Sequence, residues 1–206
     1  MKIRHLMTAT LLAAALCGTA HAQPVTEVGG VKYDNSLQSG NTTLVLNGAG
    51  VRYNAIFKVY AAGLYLPRKA TTTEAVLGMQ GAKRIHIVML RDINASELGK
   101  LFTRGMEDNA PKEEFSKSVS GTLKLSELFF RMKKLNAGDN FSVDWTPGVG
   151  TMIYINGKPS IEHIKEPEFF SALVKIWLGQ SPADNLLKDA LLGKPPETRN
   201  NNNNNA

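Results

Sequence analysis

The sequence predicts an α+β fold, an antiparallel sheet with helices packed on one of its faces. Three observations carry this. Stretches of strand character stand towards both ends of the chain, with helical patterns grouped between and after them. The later strands are joined by short turn signals, Pro147-Gly148 and Asn156-Gly157, which make hairpins. Finally, 43% of the 206 residues are hydrophobic and the interior holds no long low-complexity run, enough for one domain with a sizeable core.

In chain order, residues 1–22 combine a basic start (Lys2, Arg4), an apolar run from Leu6 to Leu16, and Ala20-His21-Ala22 ahead of Gln23. This reads as a secretory signal peptide of bacterial type cleaved after Ala22, so the periplasm or the medium is the expected destination. The apolar run is too short to span a bilayer. Cys17 is the chain's only cysteine and lies inside this segment, with Leu16 where a lipoprotein site would want a small residue. The expected mature chain thus has no disulfide or thiol chemistry. Residues 23–193 form the predicted single domain. Beyond Gly193, Pro195-Pro196 and the asparagines at 200–205 cannot bury apolar surface, and 194–206 is expected to be a disordered Asn-rich tail.

The domain is organised around residues 44–67. Strand-like runs at 44–46 and 56–66 flank an expected Gly-rich turn, Asn47-Gly48-Ala49-Gly50, and a short polar break at Tyr53-Asn54-Ala55. By strand parity Lys58, Tyr60, Ala62 and Leu64 share one face, with Phe57, Val59, Ala61 and Tyr65 on the other. On one unbroken strand Arg52 and Tyr60 would stand ~26 Å apart, too far to share a ligand. A reversal near residues 53–55 instead lets them converge from paired strands, and a guanidinium fork beside a phenol suits a carboxylate or an enolate.

Upstream, an edge strand is expected around Val31-Lys32-Tyr33. Downstream, 71–80 is a short helix with Thr71 to Thr73 offering a cap hydroxyl and Gly81 ending it, and 83–91 is an inner strand, largely apolar on both faces. Asn94 or Ser96 caps a helix to about Asn109 with a stripe of Leu98, Leu101, Phe102 and Met106. Pro111 opens another with Val119, Leu123, Leu128, Phe129 and Met132, stopped by Asn136-Ala137-Gly138-Asp139. These two helices are expected to cover one face of the sheet. Strands follow at 141–145, 151–155 and 160–164, then helices at 166–178 and from Ser181-Pro182, serine capping and proline at the first helical position.

Removing Lys2 and Arg4 leaves 22 basic residues against 18 acidic, a modest +4. The basic groups Lys83-Arg84, Arg131 and Lys133-Lys134 lack interleaved aromatics, so no nucleic-acid partner is expected. There is no Gly-x-Ser-x-Gly elbow, phosphate loop or cysteine nucleophile. Only His86 and His163 survive in the mature chain and neither suggests a metal, and the paired acids Glu107-Asp108 and Glu113-Glu114 suit helix ends. No cofactor is expected.

Two blocks resemble the chalcone isomerase family. Gly48-Ala49-Gly50-Val51-Arg52 followed by Lys58-Val59-Tyr60-Ala61-Ala62-Gly63-Leu64-Tyr65-Leu66 matches its G-x-G-V-R and following strand. Far downstream, Phe169 to Leu173, Trp177-Leu178-Gly179, Pro182, Leu187-Lys188 and Leu191-Leu192-Gly193 match in order and spacing, so the similarity spans about residues 41–193. The resemblance implies an open-faced β-sandwich with a ligand cleft between sheet and helices. In the family's isomerases the arginine stabilises an enolate with help from threonine, tyrosine and asparagine. In its fatty-acid-binding branch, arginine and a tyrosine grip a carboxylate.

Tyr60 stands where the plant enzymes carry threonine, which favours carboxylate binding. The leading expectation is a secreted, non-catalytic binder of a fatty acid or similar carboxylate through Arg52 and Tyr60. The rival is an isomerase, an intramolecular lyase acting on an enone-bearing phenolic substrate, with Arg52 and Tyr60 catalytic and Asn94 or Asn109 as loose candidates for the family's asparagine. A third reading makes Arg52 a structural ion-pair partner in an interaction protein. The expected partner in the first two is a small carboxylate or phenolic molecule.

Overall fold

The computed structural model describes residues 24–195. The expected signal segment 1–22, and all of the expected tail but Lys194 and Pro195, lie outside the described residues.

Strands β1 (Val25–Val28) and β2 (Val31–Asp34) form a separate antiparallel ribbon. The seven-stranded sheet contains β3 (Ser36–Ser39), β4 (Thr42–Asn54), β5 (Phe57–Leu66), β6 (Lys83–Met89), β9 (Asn140–Thr146), β10 (Gly150–Ile155) and β11 (Lys158–Pro159). They stand in the order β11-β10-β9-β6-β5-β4-β3, every neighbouring pair antiparallel. The single non-sequential step, β6 to β9, is bridged by the helical excursion. That excursion starts and ends in a two-residue ribbon of β7 (Ile93–Asn94) with β8 (Lys134–Leu135).

Helices α2 (Ala95–Asn109), α3 (Lys112–Met132) and α4 (Pro167–Leu178) pack on one face of the sheet, as the pattern predicts. The inner strand β6 shows why: Ile85, Ile87 and Met89 are buried towards the helices, while Arg84, His86 and Val88 on its other face are half-buried. The largest cluster gathers these with Phe102, Phe129, Phe141, Phe169 and Trp177. Phe102 stands edge-on to Phe129 at 5.6 Å and to Trp177 at 5.3 Å, the geometry ring quadrupoles favour. On the opposite face Tyr33, Leu44, Leu46, Ala61 and Tyr65 form a smaller cluster under the β1–β2 ribbon.

Short helices α1 (Thr73–Gly78) and α5 (Asn185–Leu191) complete the chain, α1 capped by the Thr72 hydroxyl on Ala75 N. The caps follow the sequence in α2, where Asn94 accepts from Glu97 N. They depart from it in α5, where Asp184 accepts from Leu186 N and Leu187 N and Ser181-Pro182 lie in the preceding loop.

Other differences have local causes. The segment expected to be a Gly-rich turn is part of one thirteen-residue strand, β4, bulged at Asn47. Its glycines serve close approach: α5 crosses β4 so tightly that a Cβ at Gly48 would lie 1.9 Å from the Ala190 carbonyl oxygen, and one at Gly50 would lie 2.7 Å from the Ala190 Cβ. The strand at 31–33 exists but pairs with β1, leaving β3 as the sheet edge. Of the expected apolar stripes, Leu98, Phe102, Met106, Leu128 and Phe129 are buried. Leu101, Val119 and Leu123 are exposed, and Gly99, Ser118, Gly121, Thr122 and Leu125 are the buried positions where the helices meet. Helix α3 ends at Met132 because Lys133 takes a φ of 61° and the chain turns into β8. The third late strand shrinks to Lys158–Pro159, Ile164 keeping one bridge to Thr151.

Asn47 locks these pieces together. Its Nδ2 donates to the carbonyls of Ala70 (2.8 Å) and Leu191 (2.7 Å), and its Oδ1 accepts from Ala70 N at 2.7 Å. Asn47→Ala strands three buried backbone partners, so a loss of about 3 kcal/mol is expected, read as a lower urea midpoint at unchanged m-value.

Candidate functional site

The chain reverses between Asn54 and Phe57, Ala55 adopting a φ of 54°, where the polar break predicts it. The reversal sets Arg52 directly opposite Tyr60 on β5. The next pair is Tyr53 with Lys58, so Val59 is an extra residue bulged out of register. Strand parity fails here: Val59 and Tyr60 border one cavity in place of pointing to opposite faces, and Lys58 is exposed at the hairpin. The Val59 carbonyl still accepts from Leu90 N at 3.0 Å.

The cavity, of about 610 Å³, lies between this end of the sheet, α2 and the segment after α4. Val59, Leu98, Leu101, Phe102 and Ile176 supply an apolar wall; Arg52, Asn54 and Arg91 stand on its polar side. The Arg52 guanidinium carbon lies 6.0 Å from the centre of the Tyr60 ring, and that of Arg91 lies 5.2 Å from the Phe57 ring.

Among the described residues no carboxylate forms an ion pair with Arg52 or Arg91. The acids lining the cavity are taken: Asp92 by Lys134 (2.6 Å), Glu97 by Lys100 (2.9 Å) and Asp108 by Arg104 (3.6 Å). Asp184, whose charge is felt at Tyr60, accepts from Tyr53 N at 2.9 Å while capping α5. The half-buried Arg52 therefore faces the cavity as a cation without a protein counter-ion, contrary to the structural ion-pair reading.

Tyr60 is buried, and the Trp177 indole N–H donates to its hydroxyl at 2.8 Å. The phenol proton is left to donate elsewhere. Burial pushes the Tyr60 pKa up to about 12, against the Trp177 hydrogen bond and the Arg52 charge, which lower it. At neutral pH Tyr60 is a hydrogen-bond donor, not a base.

Both asparagines considered for catalysis make structural bonds, Asn109 through its whole amide and Asn94 through its oxygen. Asn94 borders the cavity but accepts from Glu97 N and Ser96 Oγ. Asn109 donates to the carbonyls of Gly105 and Ser181 and accepts from Ser181 N, clamping α2 to the segment after α4. The sequence did not single out Arg91 or Trp177. Arg91 carries no motif, and Trp177, inside the second matching block, is the indole whose 2.8 Å bond fixes the Tyr60 hydroxyl. His86 packs edge-on against Tyr33 at 6.0 Å on the far face of the sheet, and no group of three or more metal-ligating side chains gathers among the described residues.

The model of the chalcone isomerase-like family matches residues 25–193. The chain belongs to the chalcone isomerase-like family. Among solved structures it resembles an Arabidopsis thaliana fatty-acid binding protein with a TM-score of 0.60 and 16% sequence identity, over 79% of this chain and 92% of that one. That likeness establishes the shared fold. No curated protein sequence matches significantly. No helix among the described residues is long and apolar enough to cross a membrane.

Tyr33, Tyr60 and Tyr65 all have pKa values raised by burial, those of Tyr60 and Tyr65 to about 12. Above pH 10 the unfolded chain loses these protons and the folded chain keeps them, so stability, full below pH 10, falls as pH rises towards 12. Melting temperature against pH between 9 and 12, with tyrosinate absorbance, reads this. Tyr60→Phe flattens the slope and costs about 1–3 kcal/mol at neutral pH by leaving the Trp177 N–H buried without an acceptor.

Proposed function

We propose that this member of the chalcone isomerase-like family is a non-catalytic binder of a fatty acid or similar carboxylate. One observation carries the reading: a cation without an acid partner and a neutral phenol donor stand on paired strands at the polar side of an apolar cavity. The carboxylate accepts from Arg52 and Tyr60 with Arg91 alongside, and the alkyl chain lies over Val59, Leu98, Phe102 and Ile176. Each charge-assisted hydrogen bond contributes about 1.5–3 kcal/mol and each buried methylene about 0.8, enough for micromolar binding after the association entropy is subtracted.

Two things support this over enone isomerisation. Asn109, one of the two asparagines that could assist at an enolate, has its amide committed to structural bonds, and a phenol with a pKa of about 12 does not act as a base at neutral pH. The family's solved relative named as a fatty-acid binding protein is consistent with it. We also propose that the chain is exported and acts in the periplasm or medium after loss of residues 1–22. N-terminal sequencing of the exported protein is expected to begin at Gln23.

The test of binding is mass spectrometry of lipids carried by natively purified protein, with palmitate titration of the wild type and Arg52→Ala. The wild type is expected to carry fatty acid, and the variant to bind palmitate about 10- to 150-fold more weakly, the loss of one charge-assisted bond. Equal binding by both proteins refutes the site. Turnover of a chalcone that disappears with the same substitution would instead establish the isomerase.

A further inference from the structure

The layer between sheet and helices has a second cavity, of about 610 Å³, at the opposite end of β6. Met89, at one end of that strand, pairs with Tyr60; Lys83, at the other, pairs with Trp145 on β9. Cross-strand partners of this kind project on the same face as close neighbours. Lys83 faces the helices as Ile85 and Ile87 do, is only 7% exposed, and borders the cavity together with Trp145 and Phe170. No acid pairs with it among the described residues, and burial pushes its pKa below the ordinary lysine value. Lysines are almost never buried without a partner, because desolvating the ammonium costs several kcal/mol.

A second unmet group borders the same space. Glu114 gives one carboxylate oxygen to Lys175, while its Oε1 is buried with no hydrogen-bond partner. The remaining charges there satisfy one another, Lys117 lying 3.0 Å from Glu113 and 3.9 Å from Glu168. Helices α3 and α4 both begin at the cavity without a side-chain cap, and Glu113, Glu114 and Glu168 occupy their first turns, which leaves Lys83 as the group that calls for an anion. Trp145 and Phe170 offer two rings tilted by 31° at 6.1 Å. The unmet demands are an anion at Lys83, a hydrogen-bond donor at Glu114 Oε1, and a flat apolar body between them.

We infer that this cavity is a second ligand site, taking a small hydroxylated aromatic carboxylate: carboxylate on Lys83, ring against Trp145 and Phe170, hydroxyl donating to Glu114. This inference is independent of what the Arg52 cavity holds.

The chain's two tryptophans stand one at each site, Trp145 here and Trp177 on Tyr60, so intrinsic fluorescence separates them. The full mature chain is titrated with 4-hydroxybenzoate, benzoate and the neutral benzyl alcohol. In the Arg52→Ala background, used throughout so that the Arg52 cavity does not contribute, saturable quenching by 4-hydroxybenzoate is expected, and it is absent when Trp145→Phe is added. Benzoate should bind more weakly than 4-hydroxybenzoate, and benzyl alcohol at least about tenfold more weakly than benzoate, for want of the charge-assisted bond. Lys83→Met, which keeps the volume and is checked by near-ultraviolet circular dichroism, should weaken 4-hydroxybenzoate by about tenfold or more. Quenching that persists in Trp145→Phe, benzyl alcohol binding as well as benzoate, Lys83→Met binding within about twofold of the Arg52→Ala parent, or no saturable quenching at millimolar ligand overturns the site. The benzyl alcohol comparison decides the matter even if Lys83→Met does not fold.

Discussion

The pairing of β4 with β5 is the constraint on which the rest of this molecule depends. These two long strands form the most extended antiparallel contact of the sheet, and two bulges interrupt their register, one at Asn47 and one at Val59. Because side chains alternate faces strictly, each extra residue moves everything beyond it to the other side. The bulge at Val59 puts two consecutive residues beside one cavity, and the bulge at Asn47 buries an amide that three backbone groups require. Through Leu191 that amide ties the end of α5 to β4, as Asp184 ties its start to Tyr53 N.

From that pairing the electrostatics of the Arg52 cavity follow. A guanidinium half out of water would ordinarily find a carboxylate, yet each acid nearby is engaged with a lysine, an arginine or backbone N–H groups. Trp177 completes the arrangement by occupying the acceptor side of the Tyr60 hydroxyl, which leaves its proton free. The result is a site with an unpaired guanidinium and a phenol donor whose neighbouring carboxylates are held by other cations, a composition suited to holding an anion.

The same layered construction leaves a polar opening at each end of the aromatic core. Phe102, Phe129, Phe141 and Trp177 fill the middle, and the helices that cover them cannot seal either end of β6. Among the described residues, the charges without an acid partner are Arg52 on the hairpin and Arg91 beyond β6 at one end, and Lys83 on β6 itself at the other.

Much of this could be read from the amino-acid sequence alone. The α+β class, the reversal near residues 53–55, the inner strand expected at 83–91 and found at Lys83–Met89, the Asn94 cap and the Asn156-Gly157 turn, with φ values of 48° and 75°, all rest on local chemistry: alternation, capping hydroxyls and amides, and residues that tolerate positive φ. So did the choice of Arg52 and Tyr60 as candidates, since a hairpin needs only its turn to bring two such residues together. What only tertiary structure decided is whatever depends on a partner distant in the chain. Gly48 and Gly50 looked like a turn until α5, some 140 residues later, was seen lying against them. Leu101 and Val119 looked like core until the helices met on Gly99 and Gly121, because an apolar stripe says which side is greasy but not which part of it another helix covers. And neither Lys83 nor Arg52 carries in its own sequence the fact that settles its chemistry, the absence of an opposing acid among the described residues, since that is a property of the surroundings the folded chain builds around it.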